Sequence, residues 1–162
     1  MKALTLTQPW ATMVAIGAKR FETRGWYTHY RGPLAIHAAK AFPKDAQRFA
    51  TEPVVFEALA RRRGNEAMHW FPAYPVGVVV ATCELAEVCR IFAPDAEGRP
   101  LLFPASMASP EYGEGRIVTD ATEIALGDYT PGRYAFVLRN VRAFAHPIPE
   151  KGALGLWEWQ PK

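Results

Sequence analysis

The sequence predicts an α+β domain, a small β-barrel of about five or six mixed strands with flanking helices. Three observations predict it. Val76 to Leu85 is a nearly continuous run of β-branched and apolar residues, as in a central strand covered on both sides. Arg133 to Val141 alternates, with Tyr134, Phe136 and Leu138 on one side and Ala135, Val137 and Arg139 on the other. Trp10, Met13, Val14 and Gly17 keep the spacing of one buried helix face.

The remaining elements follow in order. Residues 3–7 alternate and suit a short strand. Pro9 opens a helix with Thr7 or Gln8 as its cap, and Gly17 stops it after about three turns. Lys19 to Trp26 reads as extended chain. Pro33 then admits a strand in which Leu34, Ile36 and Ala38 face the core and Ala35 and His37 face away. Lys44 to Arg63 is helical but broken near Pro53, with Thr51 as a cap for the second piece and Gly64 as its end. The run Arg61-Arg62-Arg63 complements the helix dipole. Ala86 to Phe92 continues the sheet past a bend. Residues 93–116, rich in Pro, Gly, Ser and acidic groups, read as a long loop, of the kind that lines a groove or moves. The tail from Gly152 to Trp159 is too apolar to hang free and is expected to dock back on the barrel.

The chain has 162 residues, 49% of them hydrophobic and 22% charged, which suits one folded domain over 1–162 with a substantial core. Cys83 and Cys89 sit in apolar surroundings and read as reduced core residues. The first ten residues do not form a signal peptide, and no run is long and apolar enough for a membrane span, so a cytoplasmic location is expected. No P-loop, dinucleotide fingerprint or nucleophile elbow is present. The histidines His29, His37, His69 and His146 are scattered, without ligand spacing, so neither a metal nor a cofactor is expected.

Chemistry concentrates near the start. Along an extended chain Arg20, Glu22, Arg24 and Trp26 project to one side, and Lys19, Phe21 and Thr23 to the other. Arg31 and Lys40 add charge, and Tyr27, Tyr30 and Trp10 add rings. Cations track phosphates and rings stack on bases, so this mixture suits a single strand of nucleic acid. The net charge of +3 permits such contact without requiring it. The plainer alternative is that Glu22 pairs with a neighbouring cation at a solvated edge, worth about 0–1 kcal/mol. On that alternative Trp10, Trp26, Trp157 and Trp159 are packing, and His37 is a hydrogen-bonded structural residue.

The run Gln8-Pro9-Trp10-Ala11, followed by Gly17-Ala18-Lys19-Arg20-Phe21-Glu22-Thr23-Arg24 and by Tyr30-Arg31-Gly32-Pro33-Leu34-Ala35-Ile36-His37-Ala38-Ala39-Lys40, resembles the ASCH domain. Tyr134 to Leu138, Pro147-Ile148-Pro149 and Lys151 to Trp157 extend the resemblance to the other end. It implies a PUA-like barrel with a cleft beside the first helix, and a family linked to RNA through coactivator-type, RNA-cleaving and nucleoside-processing members. The leading expectation is therefore binding of RNA, single-stranded nucleic acid or a modified nucleotide. The residues it draws on are Lys19, Arg20, Glu22, Arg24, Trp26, Tyr30, Arg31 and Lys40.

Two other expectations stand beside it. The first is a metal-free hydrolase for acylated nucleosides or RNA, an amidohydrolase or ribonuclease, with Lys19 and Glu22 catalytic. The acetylcytidine amidohydrolases that the sequence resembles use a lysine, a threonine three residues on, and a distant glutamate. Lys19 fits the lysine, Glu22 stands where the threonine would be, and Glu97, Glu111 and Glu114 are candidates for the glutamate. A carboxylate near Lys19 would hold its ammonium charged. Glu22 itself would then act as base on a water or ribose hydroxyl, with Lys19 and Arg24 stabilising the anion. The second is a protein-interaction domain that docks through residues 93–116.

Overall fold

The computed structural model describes residues 1–61, 74–106 and 115–161. The chain divides into two compact units. The first comprises 1–19, 33–84 and 140–162, and the second 20–32 and 85–139. Two long strands, β4 (Val78–Phe92) and β7 (Tyr134–Pro149), contribute a segment to each.

In the first unit β1 (Lys2–Leu6) pairs in parallel with β3 (Gly32–Ala38), Leu4 opposite Ile36. The apolar tail forms β8 (Leu156–Glu158), antiparallel to β1. The terminal ammonium of Met1 donates to the carbonyl of Trp159 at 2.8 Å, and Lys2 pairs with Glu158. Docking of the tail, expected from its apolar character, thus uses backbone as well as rings. Ala3, Ala35, Val79 and Trp159 form one core cluster. Ala35 and His37, expected to face away from the core, are buried along with Leu34, Ile36 and Ala38. A strand parallel to its neighbour is covered on both faces, which erases the alternation.

The helix α1 (Trp10–Ala15) opens after Pro9. Gln8 does the capping work: its Oε1 accepts from the Thr12 N–H at 3.1 Å, and its Nε2 donates to the Pro75 carbonyl at 2.7 Å. Gly17 ends the helix as its sequence position predicts. With φ at +73° it lets its own N–H reach the Val14 carbonyl while the Ala18 and Lys19 N–H groups share that of Met13. Trp10 stacks on Phe49 with ring centroids 5.0 Å apart. The second helical region splits at Pro53 into α2 (Lys44–Phe49) and α3 (Pro53–Ala60). Thr51 does not cap α3: Glu52 holds that position, and the Thr51 hydroxyl donates back to the Arg48 carbonyl. Arg61 pairs with Glu57, while Arg62, Arg63, Gly64 and His69 lie outside the described residues.

In the second unit β2 (Phe21–Arg24) runs antiparallel to β7, Glu22 opposite Phe136. Residues 93–116 are not the long loop that their composition suggests. They hold β5 (Leu101–Pro104), which pairs with β4 from Cys89 to Phe92, and they lead into β6 (Arg116–Ile117), which pairs with β5. Leu102 is the reason: it fills a core cluster with Phe21, Cys89, Ile91, Val118, Ala135 and Val137. Residues 107–114, with Glu111 and Glu114, lie outside the described residues. A further helix, α4 (Ala121–Ala125), was not predicted.

The architecture is α+β with a mixed sheet, and strand pairing among the described residues does not close it. The order β2-β7-β4-β3-β1-β8 leaves β2 and β8 as its ends, with β5 and β6 attached through β4. Cys83 and Cys89 are free and buried, and burial pushes each thiol up to about 12, so neither is a reactive thiolate at neutral pH. Among the described residues no helix is long and apolar enough to cross a membrane.

The Gln8 side chain serves the buried Thr12 N–H and the partly buried Pro75 carbonyl at once, so its loss leaves both without their partner. Gln8→Ala is expected to lower stability by about 1–3 kcal/mol, read as a drop in urea midpoint at unchanged m-value.

Candidate nucleic-acid interface

The segment after α1 places its charges unevenly. Lys19, the last residue of the first unit, is 1% exposed. A lysine that deep is held by partners rather than presented to bulk solvent. Arg20, the first residue of the second unit, has a side chain 56% exposed. Its guanidinium faces Asp120 and Glu123, each at 3.6 Å.

Glu123 is the residue that sequence reading missed. It is fully buried and accepts from the Arg20 N–H at 2.7 Å and the Phe21 N–H at 3.1 Å. The Tyr129 hydroxyl donates to it at 3.5 Å. Burial pushes the Tyr129 phenol well above its ordinary range, and the carboxylates of Glu123 and Glu22 push the same way. Asp120 caps α4 through the N–H groups of Thr122 and Glu123. The signal was present as Asp120-Ala121-Thr122-Glu123, a capping-box spacing ahead of Ile124. Here the glutamate reaches across to the first residues of β2 instead of back to its own cap.

Within β2, Glu22 is 7% exposed and its carboxylate lies 3.2 Å from Nε of Arg24. Thr23 is also buried, and its hydroxyl accepts from the Asp128 N–H at 2.9 Å. Three consecutive buried residues break the alternation expected here. The loop after α4 covers the face on which Thr23 lies.

Rings gather just beyond. Trp26 sets its edge against Phe136 at 5.1 Å. Tyr27 is half-buried between His29, at 4.8 Å, and Tyr134, at 5.5 Å. Arg31 is exposed and donates to the carbonyls of Thr28 and Tyr30, which fixes the bend of this loop. Arg20, Glu22, Arg24, Trp26, Tyr30 and Arg31 all belong to the second unit, while Lys19 and Lys40 belong to the first. Glu97 is exposed and bound to Arg99 at 2.7 Å, in a turn that Asp95 organises, far from the setting a catalytic glutamate needs.

Lys40 belongs to the first unit and lines a cavity of about 930 Å³ there. Its walls come from the ends of β1 and β3, from Val76 and Gly77, and from Pro149 to Leu154. His37 stands in the wall, with Nε2 3.1 Å from the Glu150 carbonyl. Burial lowers the pKa of His37, against the smaller opposing pull of Glu150, so the ring is neutral at pH 7.

A family model, the ASCH domain, matches residues 4–144. The chain belongs to the ASCH domain family. It is also 35% identical over 85 residues to activating signal cointegrator 1 of Homo sapiens, and 34% identical over 85 residues to the Mus musculus protein. Each alignment covers 52% of this chain and 14% of the relative, so the chain spans a small part of those proteins.

The Glu123 carboxylate holds two backbone N–H groups, the Tyr129 hydroxyl and the Arg20 guanidinium. Glu123→Gln is expected to lower stability by about 1.5–3 kcal/mol, because bonds to a charged acceptor are the strong ones. Arg20→Ala should cost less than about 1 kcal/mol, since its guanidinium is mostly solvated. Urea midpoints of the two variants check the order.

Proposed function

We propose that this ASCH domain binds RNA or single-stranded nucleic acid through the surface from Arg24 to Arg31. The observation that carries the reading is the half-exposed Tyr27 ring, set beside Tyr134 and His29 and followed by the exposed Arg31 guanidinium. Rings of this kind stack on bases without regard to sequence, and each stacked base contributes about 1–3 kcal/mol. Arg31 meets phosphate while its bonds to Thr28 and Tyr30 keep it in place. Arg24 adds a second guanidinium, partly offset by Glu22. The family's link to RNA and the PUA-like barrel implied by the resemblance belong to the same reading.

A second reading, metal-free hydrolysis of an acylated nucleoside or RNA, is favoured by the depth of Lys19 and Glu22. Both are charged residues withdrawn from bulk solvent, where electrostatic interactions are stronger. Glu22 would take the proton from a water or ribose hydroxyl, and Arg24 beside it would stabilise the anion that forms.

Binding of a fluorescent single-stranded RNA tests the first reading. Tyr27→Ala is expected to weaken it by about 5–150-fold. Arg31→Ala should weaken all sequences alike and flatten the dependence on log salt by about 0.7. Absence of binding at low salt would remove the proposal. For the second reading, acetylcytidine and labelled RNA are incubated with wild type and with Glu22→Gln. Turnover that vanishes in the variant supports it, and equal rates eliminate the Glu22 mechanism.

A further inference from the structure

The cavity of the first unit is a built structure. The Thr5 hydroxyl donates to the Ala153 carbonyl at 2.9 Å and accepts from Nε1 of Trp157 at 3.1 Å. The Glu150 N–H donates to the Gly77 carbonyl at 3.0 Å, and its carbonyl receives Nε2 of His37. Gly152 fits so closely on His37 that a Cβ there would stand 2.4 Å from the ring. The wall from Glu150 to Leu154 is therefore pinned at several points before any ligand arrives, which lowers the ordering cost of binding. The volume of about 930 Å³ lies within the range of small-molecule sites.

Its lining has two characters. Lys40 and Lys151 are exposed, and neither makes an ion pair among the described residues. Glu150 is the acidic residue of the lining, and its carboxylate accepts from the Lys151 N–H at 2.9 Å. The balance favours an anion. Leu154 is 98% exposed and Val76 is 41% exposed, both on the same cavity, where a flat apolar face would cover them. His37, also in the wall, turns Nδ1 onto the Gly152 backbone, so the ring shapes the cavity and does not bind in it. The ligand that matches these features is anionic at one end and flat at the other.

We propose that this cavity binds a nucleoside monophosphate group, its phosphate between Lys40 and Lys151 and its base against Leu154 and Val76. The site goes beyond the surface assigned above and shares no residue with it. The group has two sources, a free mononucleotide or the phosphorylated end of a nucleic-acid chain.

Calorimetry of the full chain at low salt with CMP, AMP, cytidine and adenosine tests it. The monophosphates are expected to bind at least about tenfold more tightly than the nucleosides, as fits charge-assisted contacts to phosphate. Lys40→Ala and Lys151→Ala should each remove most of that difference and leave nucleoside binding unchanged. Leu154→Ser should weaken both classes. Tyr27→Ala, in the other unit, should leave CMP binding intact, which separates this site from the RNA surface. Competition by a 5′-phosphorylated oligonucleotide, but not by its 5′-hydroxyl form, assigns the site to chain ends, and failure of both to compete assigns it to free nucleotides. No binding of CMP or AMP at millimolar concentration would overturn the proposal. So would binding indifferent to both lysine substitutions.

Discussion

The second unit depends on one buried carboxylate. Glu123 gathers the N–H groups of Arg20, just before β2, and of Phe21, its first residue, with a guanidinium and a phenol. An ionised carboxylate withdrawn from water is costly unless its lone pairs are filled, and here the backbone itself fills them. The consequence is positional. The chain leaving Lys19 is fixed at Arg20 and Phe21, so the register of β2 against β7 is set before Glu22 and Arg24 are reached. A slip of one residue would turn Phe21 out of its core cluster and Glu22 into it.

Charge placement explains why a motif rich in cations is not a bare positive stripe. Arg20 is held by Asp120 and Glu123, and Arg24 by Glu22. Such pairs leave little net field for a distant phosphate, though a guanidinium keeps spare N–H donors for one at contact range. Arg31 differs, because its partners are carbonyls that orient it without cancelling its charge. Counting basic residues along the segment therefore overstates its pull on a polyanion. The aromatic contacts carry correspondingly more of the proposed affinity, and they are less sensitive to salt.

Local signals in the sequence were read where one short segment decides the outcome. Gly17 ends α1 because only a positive φ lets the following N–H groups turn back, and that requirement is visible in the residue itself. Pro53 divides α2 from α3 for an equally local reason. The apolar tail had to dock, and it does. What escaped depends on partners far along the chain. Residues 93–116 carry loop composition, yet Leu102 has a core to fill, and burial overrode propensity. β3 shows no alternation because it is covered on both faces. The role of Glu123 is set by residues about a hundred positions earlier, and a capping-box spacing names the helix start without naming that destination.

The His37 and Gly152 contact shows how a sequence feature can be structural and still shape a site. His37 reads as a hydrogen-bonded core histidine, and its bond to Glu150 gives it that role. The same bond fixes which nitrogen carries the proton and leaves the other facing the backbone of Gly152. A side chain at position 152 would force the wall off the ring, so glycine is required by space and not by backbone conformation. The pinned wall then holds Lys151 and Leu154 outward at the cavity, one charged and one apolar. Exposing a leucine forgoes roughly 1.5–3 kcal/mol of burial. A rim that accepts that loss, beside ammonium groups that make no ion pair among the described residues, suits the phosphate and base proposed for it.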